Sequence, residues 1–290
     1  MTKPKTPIIT SKELLESSAS ENLLIFDASN NPNAKANYEA GHLRGTFLID
    51  VNTELANIKE TPADGGRHPL PAVQDFCATL RKFGVSDNSE VVVYDDMKGA
   101  NAAARFWWML QAIGFENVRV LEGGFQAAVR EGFPVTKEVP VKKMGNLRCD
   151  DWNLPLVELT TVIKASETGE MLIIDVREAS RFRGETEPFD KIAGHIPNAR
   201  NIPFTENMDE NGRFLPAKEL LEKYEEAMDG AISSEVIVHC GSGITACHTI
   251  LAFEIAGLEL PKLYVGSWSE WSNNDLPIIK GSEQAQTSEN

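Results

Sequence analysis

Covalent chemistry needs a nucleophile with neighbours that ionise it, and the segment Cys240-Gly241-Ser242-Gly243-Ile244-Thr245 offers that combination. Gly241 and Gly243 let the backbone turn sharply, so that successive N–H groups can point inward at one sulfur. An apolar run, Val236-Ile237-Val238-His239, precedes the cysteine, and a helical stretch from Cys247 to Ala256 follows it. A strand, a tight loop and a helix place Cys240 at the carboxyl end of a sheet, where open α/β folds bind ligands, and the helix N-terminus adds partial positive charge. Such surroundings favour thiolate over thiol and suit an anionic persulfide equally well. Cys240 could instead be a small buried hydrophobe at a strand end. Against that reading, a core cysteine needs no Gly-x-Gly frame, and Ser242 and Thr245 make polar sense only around a charged or hydrogen-bonding centre.

The elements that must carry this loop occur twice in the chain. Leu23-Leu24-Ile25-Phe26-Asp27 and Met171-Leu172-Ile173-Ile174-Asp175 are short apolar runs closed by an aspartate, each reading as a buried parallel strand. Ala40-Gly41-His42-Leu43 and Ala193-Gly194-His195-Ile196 follow, then helical stretches at about 71–83 and 216–228. Val91-Val92-Val93-Tyr94-Asp95 then answers to Val236-Ile237-Val238-His239-Cys240, and Val118-Arg119-Val120-Leu121 to Leu263-Tyr264-Val265. One fold written twice is the implication, each copy an α/β domain with a parallel sheet and helices on both faces. The expected domains are 8–138 and 155–280, joined by a linker over about 136–155, with a disordered tail from Gly281. In the first copy the loop reads Asp95-Asp96-Met97-Lys98-Gly99, without a cysteine. That copy is therefore expected to be catalytically silent. The recurrence of His42 and His195 in both copies favours a structural role for these histidines, and Asp175 with Arg177 is expected to tie a strand end together.

Over nearly its whole length the chain resembles the rhodanese superfamily, and within it the 3-mercaptopyruvate sulfurtransferases. Asp175-Val176-Arg177-Glu178, Arg181-Phe182-Arg183-Gly184 and Gly194-His195-Ile196-Pro197-Asn198-Ala199 look like the segment that opens the catalytic domain there. Cys240-Gly241-Ser242-Gly243-Ile244-Thr245 looks like the C-G-S/T-G-V-T active loop, whereas thiosulfate-specific relatives carry a basic C-R-K-G-V-T loop. The resemblance implies a persulfide on Cys240, with Ser242 bonding the substrate thiol or keto group and Gly241, Gly243, Ile244 and Thr245 forming the pocket. It further implies that Arg181 binds the substrate carboxylate, by the bidentate pairing that favours arginine over lysine. Members commonly have another arginine between the E-P and G-H motifs; in Glu187-Pro188-Phe189-Asp190-Lys191-Ile192-Ala193-Gly194 only Lys191 is available as a second cation. His68 matches a histidine that reaches the cleft between the domains, and Asn52 stands where its orienting aspartate is found. The implied reaction moves sulfur from 3-mercaptopyruvate to a thiol such as thioredoxin, a small thiol or cyanide, releases pyruvate, and requires no metal or organic cofactor.

Composition narrows the remaining classes. With 28 Lys+Arg against 43 Asp+Glu the formal charge is −15, which argues against nucleic acid or an anionic membrane as partner. No apolar run approaches the roughly 18 residues of a membrane span, and residues 1–10 lead into polar Ser11-Lys12-Glu13 without a signal-like apolar stretch. Four cysteines, Cys77, Cys149, Cys240 and Cys247, without C-x-x-C pairs, are expected to stay reduced in the cytoplasm, with no disulfide framework. Three rivals remain defined: a thiosulfate:cyanide sulfurtransferase, a non-catalytic rhodanese-type binding module with an unreactive Cys240, and a cysteine phosphatase. The last requires an arginine six residues after the cysteine, where Ala246 stands.

Overall fold

Apolar runs closed by aspartate become the central strands of two separate parallel sheets. The computed structural model describes residues 6–141 and 143–281. It divides the chain into two compact units, the first holding the residues up to Asn57, Pro71–Leu154 and Met208–Phe214 and the second Ile58–Leu70, Pro155–Asn207 and the residues from Leu215.

In chain order the strands of the first unit are β1 (Ile8–Ile9), β2 (Leu23–Asp27), β3 (His42–Leu43), β4 (Thr46–Leu48), β5 (Glu90–Tyr94), β6 (Val118–Leu121) and β7 (Val135–Thr136). Five of them form one parallel sheet in the order β1-β6-β5-β2-β4, with Asp27 opposite Tyr94 at its carboxyl end. Side chains alternate along a strand, and both faces of this sheet are buried. Ile25, Val92 and Leu121 pack with Leu14 of helix Ser11–Ser17 and Ala128 of helix Gly124–Arg130. Phe26 points the other way and meets Phe106 of helix Ala102–Ala112 at 5.1 Å and Phe83, at the end of helix Val73–Lys82, at 5.5 Å. Each such fully buried side chain stabilises the fold by about 1.5–3 kcal/mol.

The second unit repeats the plan with β8 (Leu172–Asp175), β9 (Ala199–Asn201), β10 (Val236–His239) and β11 (Lys262–Leu263), parallel in the order β11-β10-β8-β9. A parallel bridge from Leu156 to Leu263 mirrors the β1–β6 pairing, and the antiparallel bridge His195–Ile279 mirrors β3–β7. Ile173, Ile237, Trp268 and Trp271 form one core with Val162 of helix Leu159–Thr168. Helices Ala217–Met228 and Ala246–Ala256 pack on each other through Tyr224 and Phe253, 4.3 Å apart. The repeated histidines do the same work in each unit. His42 stacks on Tyr38 and its Nδ1 lies 2.8 Å from the Tyr38 carbonyl, while His195 stacks on Phe182 with its Nδ1 2.8 Å from that carbonyl.

Two expectations from the sequence are corrected here. The stretch expected to be a linker packs along the first unit instead: the amide of Gly145 donates to Arg81, that of Leu147 to Val85 and that of Asn153 to Ala112. Cys149 within it forms a disulfide with Cys77 of helix Val73–Lys82, their Cα atoms 6.0 Å apart, where no disulfide was expected. Docking the stretch brings together two sulfurs separated by 72 residues of sequence, which no local spacing reveals. Of the tail expected to be disordered from Gly281, Gly281 itself donates its amide to the Arg183 carbonyl at 2.9 Å, and residues 282–290 lie outside the described residues.

Candidate active site

Strand β10 ends at His239, and Cys240 begins the loop that leads into helix Ala246–Ala256. Gly243 takes φ +74°, a conformation open to glycine, and the loop closes around one sulfur. Burial alone would push the Cys240 thiol up. The hydroxyl of Thr245 and the amides of Ser242, Ala246 and Ile244 donate to it and outweigh burial, so the thiol is held below the ordinary cysteine value. The sulfur is anchored from behind as well. The Cys240 amide donates to Ser267 Oγ at 3.2 Å, and its carbonyl accepts from Trp268 at 3.0 Å. Cys240 itself is 2% exposed, and Cys247, in the helix, is buried with its thiol 3.4 Å from the Gly243 carbonyl.

The first unit makes the equivalent loop with a carboxylate in place of sulfur. Asp95 accepts from the amides of Met97 (2.9 Å), Gly99 (2.7 Å), Asn101 (2.9 Å) and Ala103 (3.0 Å). Burial pushes its carboxyl up to about 6, against the pull of those four amides. A cradle of inward amides is thus present twice, and in the first unit its own side chain fills it.

Segment Ile58–Leu70 belongs to the second unit and carries two side chains to the cysteine loop. The Gly65 amide donates to Glu270 at 2.9 Å, Asn274 donates to the Ala63 carbonyl at 3.2 Å, and Gly66 at φ +79° lies so close to Gly266 that a Cβ would fall 2.3 Å from that carbonyl oxygen. Pinned in this way, the segment sets His68 Nδ1 2.8 Å from Ser242 Oγ. It also brings Arg67 to Gly241: a Cβ built on Gly241 would lie 3.3 Å from Nη2 of Arg67 and 3.3 Å from Nη2 of Arg181.

Arg181, on the short helix Ala179–Phe182, donates to Glu187 at 2.8 Å through Nη2. Glu187 in turn accepts from Arg177 at 3.2 Å, and Arg177 grips Asp175 and the Gly194 carbonyl while stacking over Trp268 at 4.6 Å. Burial would raise the Asp175 carboxyl, but Arg177 outweighs it and holds the group below the usual carboxylate range. His239 sits 3.8 Å from Asp175, and burial lowers its pKa; it faces this network rather than the thiol. A chain of ion pairs, Asp175 to Arg177 to Glu187 to Arg181, therefore fixes the arginine beside Gly241 from the interior outward.

Of the residues expected at the site, the structure gathers Cys240, Gly241, Ser242, Gly243, Ile244, Thr245, His68 and Arg181 around one loop. Lys191, expected as the second cation, is exposed, and no contact among those described ties it to the loop. Arg67 stands there instead, a residue the sequence reading passed over. Its one visible signal was adjacency to His68 in Gly65-Gly66-Arg67-His68.

The chain is similar to known proteins over most of its length. The sequence pattern of the rhodanese-like domain matches residues 10–131 and again 158–274. A probable 3-mercaptopyruvate sulfurtransferase of Pseudomonas aeruginosa is 35% identical over 281 residues, covering 94% of this chain and 98% of that protein. A thiosulfate sulfurtransferase of Gallus gallus is 33% identical over 268 residues, 90% of each chain. Among solved structures, a 3-mercaptopyruvate sulfurtransferase from Leishmania major superimposes with a TM-score of 0.78 at 28% identity, over 93% of this chain and 75% of that one.

Proposed function

The chain belongs to the family of rhodanese-like domains, carried twice, and from that premise we propose that it is a sulfurtransferase moving sulfur from 3-mercaptopyruvate to a thiol through Cys240. The observation that carries the reading is the Cys240 sulfur facing three amides and the Thr245 hydroxyl, which hold its thiol below the ordinary cysteine value, in a loop with no charged side chain. The thiolate attacks the donor's sulfur and forms an S–S bond; the carbon–sulfur bond breaks and its electron pair leaves on the enolate of pyruvate. The donor's thiol proton ends on the pyruvate methyl group, and the enzyme keeps an anionic persulfide that the same donors stabilise. Ser242, 2.8 Å from His68, is placed to bond the donor and relay that proton. Arg181 takes the carboxylate. An acceptor thiolate then attacks the outer sulfur and releases Cys240 as thiolate.

A neutral loop suits a donor whose charge lies away from its sulfur, which favours 3-mercaptopyruvate over thiosulfate. Thioredoxin or a small thiol serves as acceptor, and the cytoplasm as the compartment. Among the described residues no helix is long and apolar enough to cross a membrane. Intact mass measurement after exposure to 3-mercaptopyruvate is expected to show one added sulfur on the wild-type chain and none on Cys240→Ser. Faster loading from thiosulfate under identical conditions would overturn the donor assignment. A Cys240 that neither loads sulfur nor reacts first with iodoacetamide at neutral pH would leave only a binding module.

A further inference from the structure

The second cation beside Gly241 is an arginine from a different segment than the one expected to supply it. Nη2 of Arg67 and Nη2 of Arg181 both lie 3.3 Å from one point, the place where a Cβ on Gly241 would stand, with Nη1 of Arg181 at 3.5 Å. Two like charges converge on that point only because each is neutralised from behind. Asp190 pairs with Nη1 of Arg67 and Glu187 with Arg181, two carboxylates of one short segment. Between those two residues in sequence, Phe189 presents its ring to both guanidinium groups, at 5.6 Å from Arg67 and 5.0 Å from Arg181. The atom of Arg67 that faces Gly241 is Nη2, whereas Nη1 faces Asp190.

We infer that Arg67 is the second carboxylate-binding cation of this site, reaching Gly241 from segment Ile58–Leu70 and selecting sulfur donors whose carboxylate stands apart from their sulfur. The inference rests on the reading of Cys240 as sulfur acceptor and names what recognises its donor. Gly241 is part of the device: any side chain there would occupy the space between the two guanidinium groups. In a basic C-R-K-G loop the cation grows from the residue after the cysteine. Here that residue has no side chain, and the charge comes from two arginines arranged over it. A carboxylate at this point would accept from two guanidinium groups at once, which an exposed lysine at 191 does not reproduce.

The test compares Arg67→Gln, Arg67→Lys and wild type in two assays. The first is alkylation of Cys240 by iodoacetate, which carries a carboxylate beside its reactive carbon, and by uncharged iodoacetamide. In Arg67→Gln the iodoacetate rate is expected to fall about tenfold relative to that of iodoacetamide, the latter staying near wild type. The second is turnover, where KM for 3-mercaptopyruvate is expected to rise about 10- to 100-fold with a smaller change in kcat, while KM for thiosulfate moves less than about threefold. Arg67→Lys, which keeps the charge and loses the fork, is expected between the two. An unchanged iodoacetate-to-iodoacetamide ratio in Arg67→Gln overturns the inference, as does the same loss appearing in Lys191→Gln instead. A wild-type chain that takes no sulfur from 3-mercaptopyruvate, yet loses the alkylation ratio in Arg67→Gln, supports the arginine site and sinks the donor assignment.

Discussion

Thr245 sets a hydroxyl against the nucleophile and favours its thiolate form. Burial opposes ionisation of Cys240, and of the groups that reverse it the Thr245 hydroxyl contributes most, ahead of the amides of Ser242, Ala246 and Ile244. Valine has the same shape without the donor. A hydrogen bond to a charged group contributes about 1.5–3 kcal/mol, so Thr245→Val should raise the thiol. The sign follows from which form the bond favours: the hydroxyl stabilises thiolate, its loss favours thiol, and the reactive fraction at neutral pH drops. The pH profile of Cys240 alkylation by iodoacetamide is therefore expected to shift upward, with a rate about tenfold or more lower on its acid limb. A profile that stays in place would show that the amides alone ionise the sulfur.

At the level of elements, the loop after β10 supplies the chemistry and segment Ile58–Leu70 supplies what faces it. At Gly66 that segment lies directly against Gly266 of the second unit. The Gly66 φ of +79° disfavours any side chain, and a Cβ would meet the Gly266 carbonyl oxygen at 2.3 Å, too close to survive without movement. Gly66→Ala should shift Arg67 and His68 away from Gly241 and Ser242. KM for the donor is then expected to rise and kcat to fall, each by about tenfold, with the alkylation pH profile of Cys240 unchanged, because its cradle lies wholly within residues 240–246. Unaltered kinetics in a folded Gly66→Ala chain would mean that the segment does not position these side chains. The difference between the two elements also explains what could be read from the chain. Strands β2 and β8 were legible because a fully buried parallel strand needs a continuous apolar run, and the cysteine loop because glycine, hydroxyl and thiol sit within six consecutive residues. The role of Asp95 was legible only as the lack of a cysteine; that its carboxylate fills the amide cradle depends on backbone turns the sequence does not display. Arg67 was hidden for a different reason. Its partners Asp190, Phe189 and Gly241 come from remote stretches, and no periodicity links a surface-type arginine to them.

For the molecule as a whole, the least expected feature is the covalent link between Cys77 and Cys149. Four cysteines without paired spacing argued for free thiols, yet the stretch before β8 lies along helix Val73–Lys82 and delivers one sulfur to the other. Closing a loop with a sequence separation of 72 constrains the unfolded chain and should stabilise the first unit by up to about 4 kcal/mol in the chain-entropy account. Thiol counting on the unfolded, unreduced protein is expected to find two reactive cysteines, Cys240 and Cys247, and four after reduction. Reduction, or the double change Cys77→Ala with Cys149→Ala, is then expected to lower the unfolding midpoint of the first unit. The rate at which Cys240 is alkylated should not change, because the groups that ionise it all belong to the second unit. In a reducing cytoplasm the pair would be held as thiols unless docking of the 145–153 stretch shields it, and Leu147 and Cys149 are both nearly buried, at 4% and 6% exposure. Protein alkylated in intact cells before extraction separates the cases. A Cys77–Cys149 pair that survives there marks a bond the fold protects, whereas four alkylated thiols would mean that the first unit holds together without it.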